Sequence, residues 1–345
     1  MSAAGLDISD QTIRVIKFSK NKDGLSLNIF GEEKLPQGLI VSGEINKKDE
    51  LVKILKSVKQ KYSLDFVRVS LPEEKAYFFK TEIPKVENGE IRQSIEFRLE
   101  ENAPIRADEA IFDYGLISQD HVKSDHLDVI VSVIPKLVAE SYADLLDKSG
   151  LTAVSFEIES KTIVRSALKK GERGSVMIIN IRDSVTVVTL VRDGTVRFTS
   201  SFGMGGNLIT EALKKIFSVS FEEAEKIKNE KLYSENKESI AIFFSLASIV
   251  SAIKDEISKF YSYWLAKNDS GGESGGKISK LILCGKDSAI VGLKEYLSQS
   301  LRINVETAEV WSNIFSLNRR VPEINFLDSL NYAVAIGLAA PEDEN

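Results

Sequence analysis

The sequence predicts a duplicated α/β protein, in which two hairpin-led halves meet at a cleft and a small α+β module is inserted into the first half. Three observations carry that expectation. Residues 5–18 read as an apolar strand, a tight acidic turn and a second, alternating strand. Residues 176–190 repeat the pattern, and a third strand at 196–200 follows the turn Asp193-Gly194. Residues 73–152 run strand, helix, strand, strand, helix, a self-contained order that interrupts the first half. A hairpin turn with free backbone N–H groups forms an anion-binding concavity, and a carboxylate such as Asp7 can hold a hydrated Mg²⁺ beside it. An ordinary hairpin has the same pattern when it stands alone, so the weight falls on the second copy.

The composition bounds the alternatives. At 345 residues the chain exceeds what one core usually holds, so two or more domains are expected. The net charge is −6 and no basic block stands out, which argues against a nucleic-acid footprint. The lone cysteine, Cys284, excludes an intrachain disulfide and fits a reducing compartment, with the cytoplasm as the default. Residues 1–4 show no signal-peptide pattern. The longest apolar run, 240–253, is too short and too Ser-rich to span a bilayer and is expected to be a buried helix, within a long helix over about 239–265. His121 and His126 fall in a polar stretch without a cysteine partner, so surface loop residues are expected and no metal site.

Each element has its signal. A third strand lies near 25–30, and Leu51, Val52, Ile54, Leu55 and Val58 form one apolar face of a helix over 47–62. A strand at 65–71 completes a βββαβ unit. In the module, strands are expected at 76–80, 110–117 and 127–134, with helices at 90–101 and 136–148. A strand at 151–158 and a helix at 160–168 return to the first half. The second half continues from its meander through Gly205-Gly206 into a helix at 208–217, a short helix near 221–228, a strand at 281–284 and a helix at 291–300. Residues 270–276 read as a flexible Gly/Ser loop. The small-residue stretch 330–339 reads as a helix able to approach another backbone closely, before an acidic tail.

That order of parts resembles the actin-like ATPase superfamily: phosphate hairpin, connecting helix, second phosphate hairpin, adenosine loop and second connecting helix. Within it the chain is similar to the PilM family of type IV pilus assembly proteins and then to the FtsA division proteins. Both carry an SHS2-like module where residues 73–152 lie. The family-like features are Leu35-Pro36 with Gly38, Gly43-Glu44-Ile45, Ile83-Pro84, Asp113-Tyr114, Phe156-Glu157-Ile158-Glu159-Ser160, Gly205-Gly206 and Ala333-Val334-Ala335-Ile336-Gly337-Leu338. Their order over the whole chain carries the likeness. The implied division is a first domain of 1–72, 153–172 and 328–341, the module 73–152, a second domain 173–327 and the tail 342–345.

The resemblance implies a nucleotide site, and the residues at it depart from the family pattern. The first D-I-G reads Asp7-Ile8-Ser9, where serine can still offer a hydroxyl to phosphate. The second reads Asn180-Ile181-Arg182, which loses a carboxylate and puts a long side chain where backbone should approach the ligand. The adenosine loop keeps one glycine, as Gly285-Lys286-Asp287. A like charge about 4 Å from a nucleotide phosphate costs on the order of 4 kcal/mol at an effective dielectric near 20. Arg182 and Lys286 can offset it by pairing with Asp287 or Asp183. Glu225 and Lys228 match adenosine-side positions or else form an exposed helical charge pair. Gly205 and Gly206 lend N–H groups to phosphate or only make the tight turn before their helix.

The first functional reading is an adaptor whose partner, by resemblance, is the short cytoplasmic N-terminal peptide of PilN, a single-pass membrane protein, alongside other pilus assembly proteins. It places the chain at the inner face of the membrane through that partner. Its docking site is expected between the first domain and the module, at Tyr77, Phe78, Phe79 and Ile83. The three consecutive rings point to both faces of a strand, which leaves either an uncovered aromatic face or three buried rings. No catalytic residue is expected and no cofactor required, with weak ATP–Mg²⁺ binding as the most the pocket allows. The alternatives are an active actin-like ATPase and an FtsA-like filament former. The first needs an intact Mg²⁺ carboxylate set and the second a basic membrane helix, where this chain ends in acidic residues.

Overall fold

A computed structural model describes residues 3–22, 24–87, 89–117, 126–269, 277–315 and 321–341. The first sheet contains β1 (Ala4–Ile8), β2 (Thr12–Asn21), β3 (Gly24–Lys34), β6 (Phe66–Leu71) and β10 (Thr152–Ile158). A two-residue pair, β4 (Ile40–Val41) and β5 (Glu44–Ile45), and helix α1 (Lys48–Tyr62) lie between β3 and β6. In space the strands run β3-β2-β1-β6-β10, the first three antiparallel and the last two parallel. The second sheet uses β11 (Ser175–Ile181), β12 (Thr186–Arg192), β13 (Thr195–Phe202), β14 (Ile278–Cys284) and β15 (Asn304–Thr307), in the order β13-β12-β11-β14-β15. Numbered within each half, both sheets read third, second, first, fourth, fifth. The protein is therefore a duplicated α/β fold.

Helix α1 shows why such segments fold as they do. Leu51, Val52, Leu55 and Val58 recur at helical spacing and are buried, while Asp49 and Glu50 in the first turn and Lys59 and Lys61 in the last complement the helix dipole. In the second half, α5 (Gly206–Phe217), α6 (Phe221–Lys231), α7 (Lys237–Ser245), α8 (Ala247–Asp269) and α9 (Leu293–Leu301) cover the sheet. Ser220 and Glu223 form a reciprocal capping box on α6. The expected helix over 239–265 is two helices, because the chain turns at Leu246 and drops that side chain into the second core. The apolar run is not wholly buried either, since Ile240 and Phe244 on α7 are exposed.

Two helices, α4 (Glu159–Ala167) and α11 (Ala333–Ala339), lie together between the sheets, the latter preceded by α10 (Phe326–Ser329) and a 3₁₀ turn. Small residues allow the approach. A Cβ on Gly5 would stand 2.1 Å from the Ala335 carbonyl, and one on Gly337 would stand 1.9 Å from the Thr162 carbonyl. A core cluster shared by both halves, including Ile16, Ile163, Ile178 and Ile336, surrounds them.

The module lies between β6 and β10. It comprises β7 (Tyr77–Pro84), α2 (Ile91–Asn102), β8 (Ala110–Leu116) and β9 (His126–Pro135), with strand order β7-β9-β8, and it leads into α3 (Lys136–Lys148). Ile83, Ile95, Leu99, Phe112 and Val131 form its own core. A 2.7 Å ion pair from Lys161 to Asp113 seats it on α4. At its threshold Glu73 is 3% exposed: one oxygen accepts the Ser160 N–H of α4 at 2.9 Å, and the other accepts the Thr199 hydroxyl of β13 at 2.6 Å.

Three expectations change. Strand β15 was not anticipated, although Val305 is buried between the exposed Asn304 and Glu306 in strand alternation. His126 opens β9 instead of lying in a loop. The expected helix over 330–339 is helical as α11 only from Ala333. His121, the 270–276 loop and the 342–345 tail lie outside the described residues. Among the described residues no helix is long and apolar enough to cross a membrane.

Candidate functional site

The two hairpin turns face one cleft. Asp7, at the end of β1, is 1% exposed and accepts the Ser70 hydroxyl at 2.9 Å. From the opposite half Arg182, just past β11, donates to both Asp7 oxygens at 3.2 and 3.3 Å and also to Glu159 at the start of α4. A second crossing runs from Arg14 on β2, which pairs with Glu32 at 2.7 Å and reaches Asp183 at 3.8 Å. A guanidinium thus sits between buried carboxylates.

The electrostatics follow from that sharing. Burial works against a charge on Arg182, but Asp7 and Glu159 outweigh it and hold the guanidinium charged, with its pKa above the ordinary value. Burial pushes the Glu159 carboxyl up to about 8, opposed by Arg182 and reinforced by the neighbouring Asp7. One guanidinium serves two carboxylates, and one Glu159 oxygen, Oε2, has no hydrogen-bond partner among the described residues.

The phosphate-cradle groups are committed elsewhere. The Ser9 hydroxyl closes its own turn, donating to the Thr12 carbonyl at 3.0 Å and accepting the Thr12 N–H at 3.1 Å. The Gly206 and Asn207 N–H groups donate to the carbonyls of Arg182 and Asp183, each at 2.8 Å. Gly205 has no room for a side chain, since a Cβ there would lie 2.4 Å from the Arg182 carbonyl. The glycine pair makes a tight turn before α5. Asn180, 6% exposed, lines with Asp7, Arg14 and Asp287 a cavity of about 10 Å³, the room of one water.

The expected partners of Asp287 and Asp183 differ from those found. Asp287 is paired by Lys228 at 3.3 Å and accepts the Tyr233 hydroxyl at 2.6 Å, while Lys286 turns away to Asp328 at 2.8 Å. Asp183 is met by Arg14 and not by Arg182 or Lys286. Glu225 accepts from Thr210 at 2.7 Å and pairs with Lys228 at 3.0 Å. Lys228 is therefore no exposed helical charge, being 3% exposed. Burial works against its charge, but Asp287 and Glu225 outweigh it and raise its pKa. The Asp287 carboxylate lies against Gly206, so an anion already occupies the N-terminus of α5. Gly285 persists for a steric reason: its φ is +79°, and a Cβ would stand 1.9 Å from the Ile181 carbonyl. Beside this set lies a cavity of about 1090 Å³, lined among others by Glu225, Lys228, Tyr233, Lys286, Asp287 and Tyr332.

The aromatic strand is β7, an edge strand whose outer side comes up against the edge strand β13. Its register with β9 puts Tyr77, Phe79 and Ile83 on the face turned to α2 and Phe78 on the other. Tyr77 is 37% exposed and Phe78 and Phe79 are half-buried. Ile83 is 1% exposed in the module core and presents no surface to a partner, which removes it from the expected docking set. Arg14, Tyr233 and Asp328 are cleft residues that the sequence reading did not single out, and Glu159 entered it only within the family-like stretch 156–160. Arg14 carried a signal, a charge inside an otherwise apolar strand.

Paired sheets of one order, hinged on two helices around a cleft, define a protein of the actin-like fold. The chain belongs to the family described as type IV pilus assembly protein PilM, which it matches over residues 5–342. It is similar in structure to a chain of a PilM-PilN type IV pilus biogenesis complex, with a TM-score of 0.80 at 18% identity over 98% of each chain. It is also similar to the ethanolamine utilization protein EutJ from Carboxydothermus hydrogenoformans, with a TM-score of 0.58 at 12% identity over 98% of this chain and 89% of that one. MreB5 of Spiroplasma citri bound to ADP matches with a TM-score of 0.56 at 14% identity, over 97% and 94%.

Proposed function

We propose that the protein is a cytoplasmic adaptor of a type IV pilus assembly machine, one that holds the cytoplasmic N-terminal peptide of a PilN-like single-pass inner-membrane protein and does so without turning over nucleotide. Family membership supports the machine, and the likeness to a chain from a PilM-PilN complex supports the kind of partner. The observation that carries nucleotide independence is Arg182, whose guanidinium bridges Asp7 and Glu159 where Mg²⁺ and phosphate would have to enter. The partner segment docks at the junction of the first half and the module, where the edge strand β7 offers Tyr77 and Phe78 as anchors. The test is fluorescence anisotropy with a labelled peptide of the partner's N-terminus. Binding is expected with and without ATP–Mg²⁺ and is expected to weaken at least tenfold in Tyr77→Ala/Phe78→Ala. No binding by the intact protein, or binding that requires ATP, overturns the reading.

The 1090 Å³ cavity favours a second reading, a nucleotide retained as a weak structural ligand. Calorimetry with ATP and Mg²⁺ separates the two. Submicromolar affinity, or steady phosphate release abolished by Asp7→Ala, would restore the ATPase alternative.

A further inference from the structure

Away from the cleft, the module brings one of the chain's two histidines together with two carboxylates. Glu82 on β7 and Asp128 on β9 are direct partners in the antiparallel register, and His126, two residues before Asp128, shares their face. One ligand atom from each of the three lies within 4.8 Å of the other two, and His126 Nε2 is 3.9 Å from Glu82 Oε2. Two carboxylates directly opposite each other on paired strands repel unless a cation lies near them. Here the repulsion is sharpened because Asp128 is 5% exposed. Lys80, on the same face, brings Nζ to 3.3 Å from Asp128 Oδ1.

We propose that Glu82, His126 and Asp128 form a binding site for a divalent transition-metal ion of the zinc class. One imidazole nitrogen with two carboxylate oxygens suits Zn²⁺, and three protein ligands leave a position for water. Metal–ligand bonds of about 2.0–2.1 Å put neighbouring ligand atoms about 3.3 Å apart in a tetrahedral site, so the three groups need to close by roughly 1 Å. All three ligands stand on one face of the paired strands, so side-chain rotation is the movement that closure requires. The ion and Lys80 compete for the same carboxylate. A bound ion would cross-link the Pro84 end of the edge strand β7 to β9. The inference is independent of the pilus reading.

The chain is well suited to the test, because its other histidine is His121 and its single cysteine, Cys284, is fully buried. Titrating metal-free full-length protein with Zn²⁺ alone by calorimetry is expected to show one saturable site. His126→Ala and Glu82→Gln should each weaken it tenfold or more, and Glu82 is exposed enough for that variant to keep the fold. His121→Ala should leave it unchanged, and Lys80→Met should tighten it by removing the competing ammonium. No saturable Zn²⁺ binding overturns the proposal. So does binding unaffected by His126→Ala, binding lost in His121→Ala, or binding that fails to tighten in Lys80→Met.

Discussion

At the hairpin end of the cleft, Arg182, Asp7 and Glu159 close on one another and leave a cavity of about 10 Å³. At the α6 end, Lys228, Asp287 and Tyr233 form a similarly bonded set, yet beside it about 1090 Å³ stays open. Both ends cancel their charges internally, and the open volume lies on the α6 side while bordering the hairpin residues Gln11, Thr12, Arg14 and Asp183. Among the described residues, the charges at the hairpin end are paired with one another and the Gly206 and Asn207 N–H groups are bonded to carbonyls, whereas the α6 side keeps its room.

The largest effect expected from breaking the comparison is at Arg182. Arg182→Ala leaves Asp7 and Glu159 buried without their cation, and removing one partner of a buried pair costs about 3–5 kcal/mol. Urea unfolding should show that loss, and added Mg²⁺ should restore part of it if the guanidinium stands in for a metal ion. Arg182→Ala that unfolds like the parent would mean the carboxylates reach water.

The next effect is a pH dependence. The Glu159 carboxyl is held up to about 8 in the folded protein, against about 4.3 in an unfolded chain, so the folded state binds the extra proton. Stability from this group is complete below about pH 4 and falls as pH rises towards 8. A difference of one bound proton gives a slope of at most about 1.4 kcal/mol per pH unit. Glu159→Gln should flatten thermal-denaturation midpoints across that range, and an unchanged profile would rule the group out as their cause. The smallest effect belongs to the open end: Tyr233→Phe removes one hydroxyl from Asp287, for a loss of roughly 1.5 kcal/mol by denaturant titration. Because Lys228 still pairs Asp287, a loss as large as that of Arg182→Ala would show the two ends to be equally dependent on single contacts.

The duplicated architecture was legible because hairpins announce themselves locally, through alternation and turn residues, and the second copy confirmed the first. Strand β15 escaped notice because four residues of alternation after a helix are too short to stand out from loop. The break at Leu246 escaped because an apolar run looks alike whether it continues or turns. In the site, the departures at Asn180, Arg182 and Asp287 could be read one by one, and their own ion pairing was anticipated. Which charge meets which could not be read, because Asp7 and Arg182 are 175 residues apart and only the facing of the two sheets makes them neighbours. Ile83 was misplaced for a related reason. The face of β7 it occupies is decided by pairing with β9, and not by β7 itself.

Glu73 gives the molecule a mechanical property. Its carboxylate is a joint with three members, joining the root of the module to a backbone N–H of α4 in the first half and to a hydroxyl of β13 in the second. A pull on the module along β7 would therefore load both halves at once through these two hydrogen bonds. Force delivered to the module would pass into the body of the protein at that point.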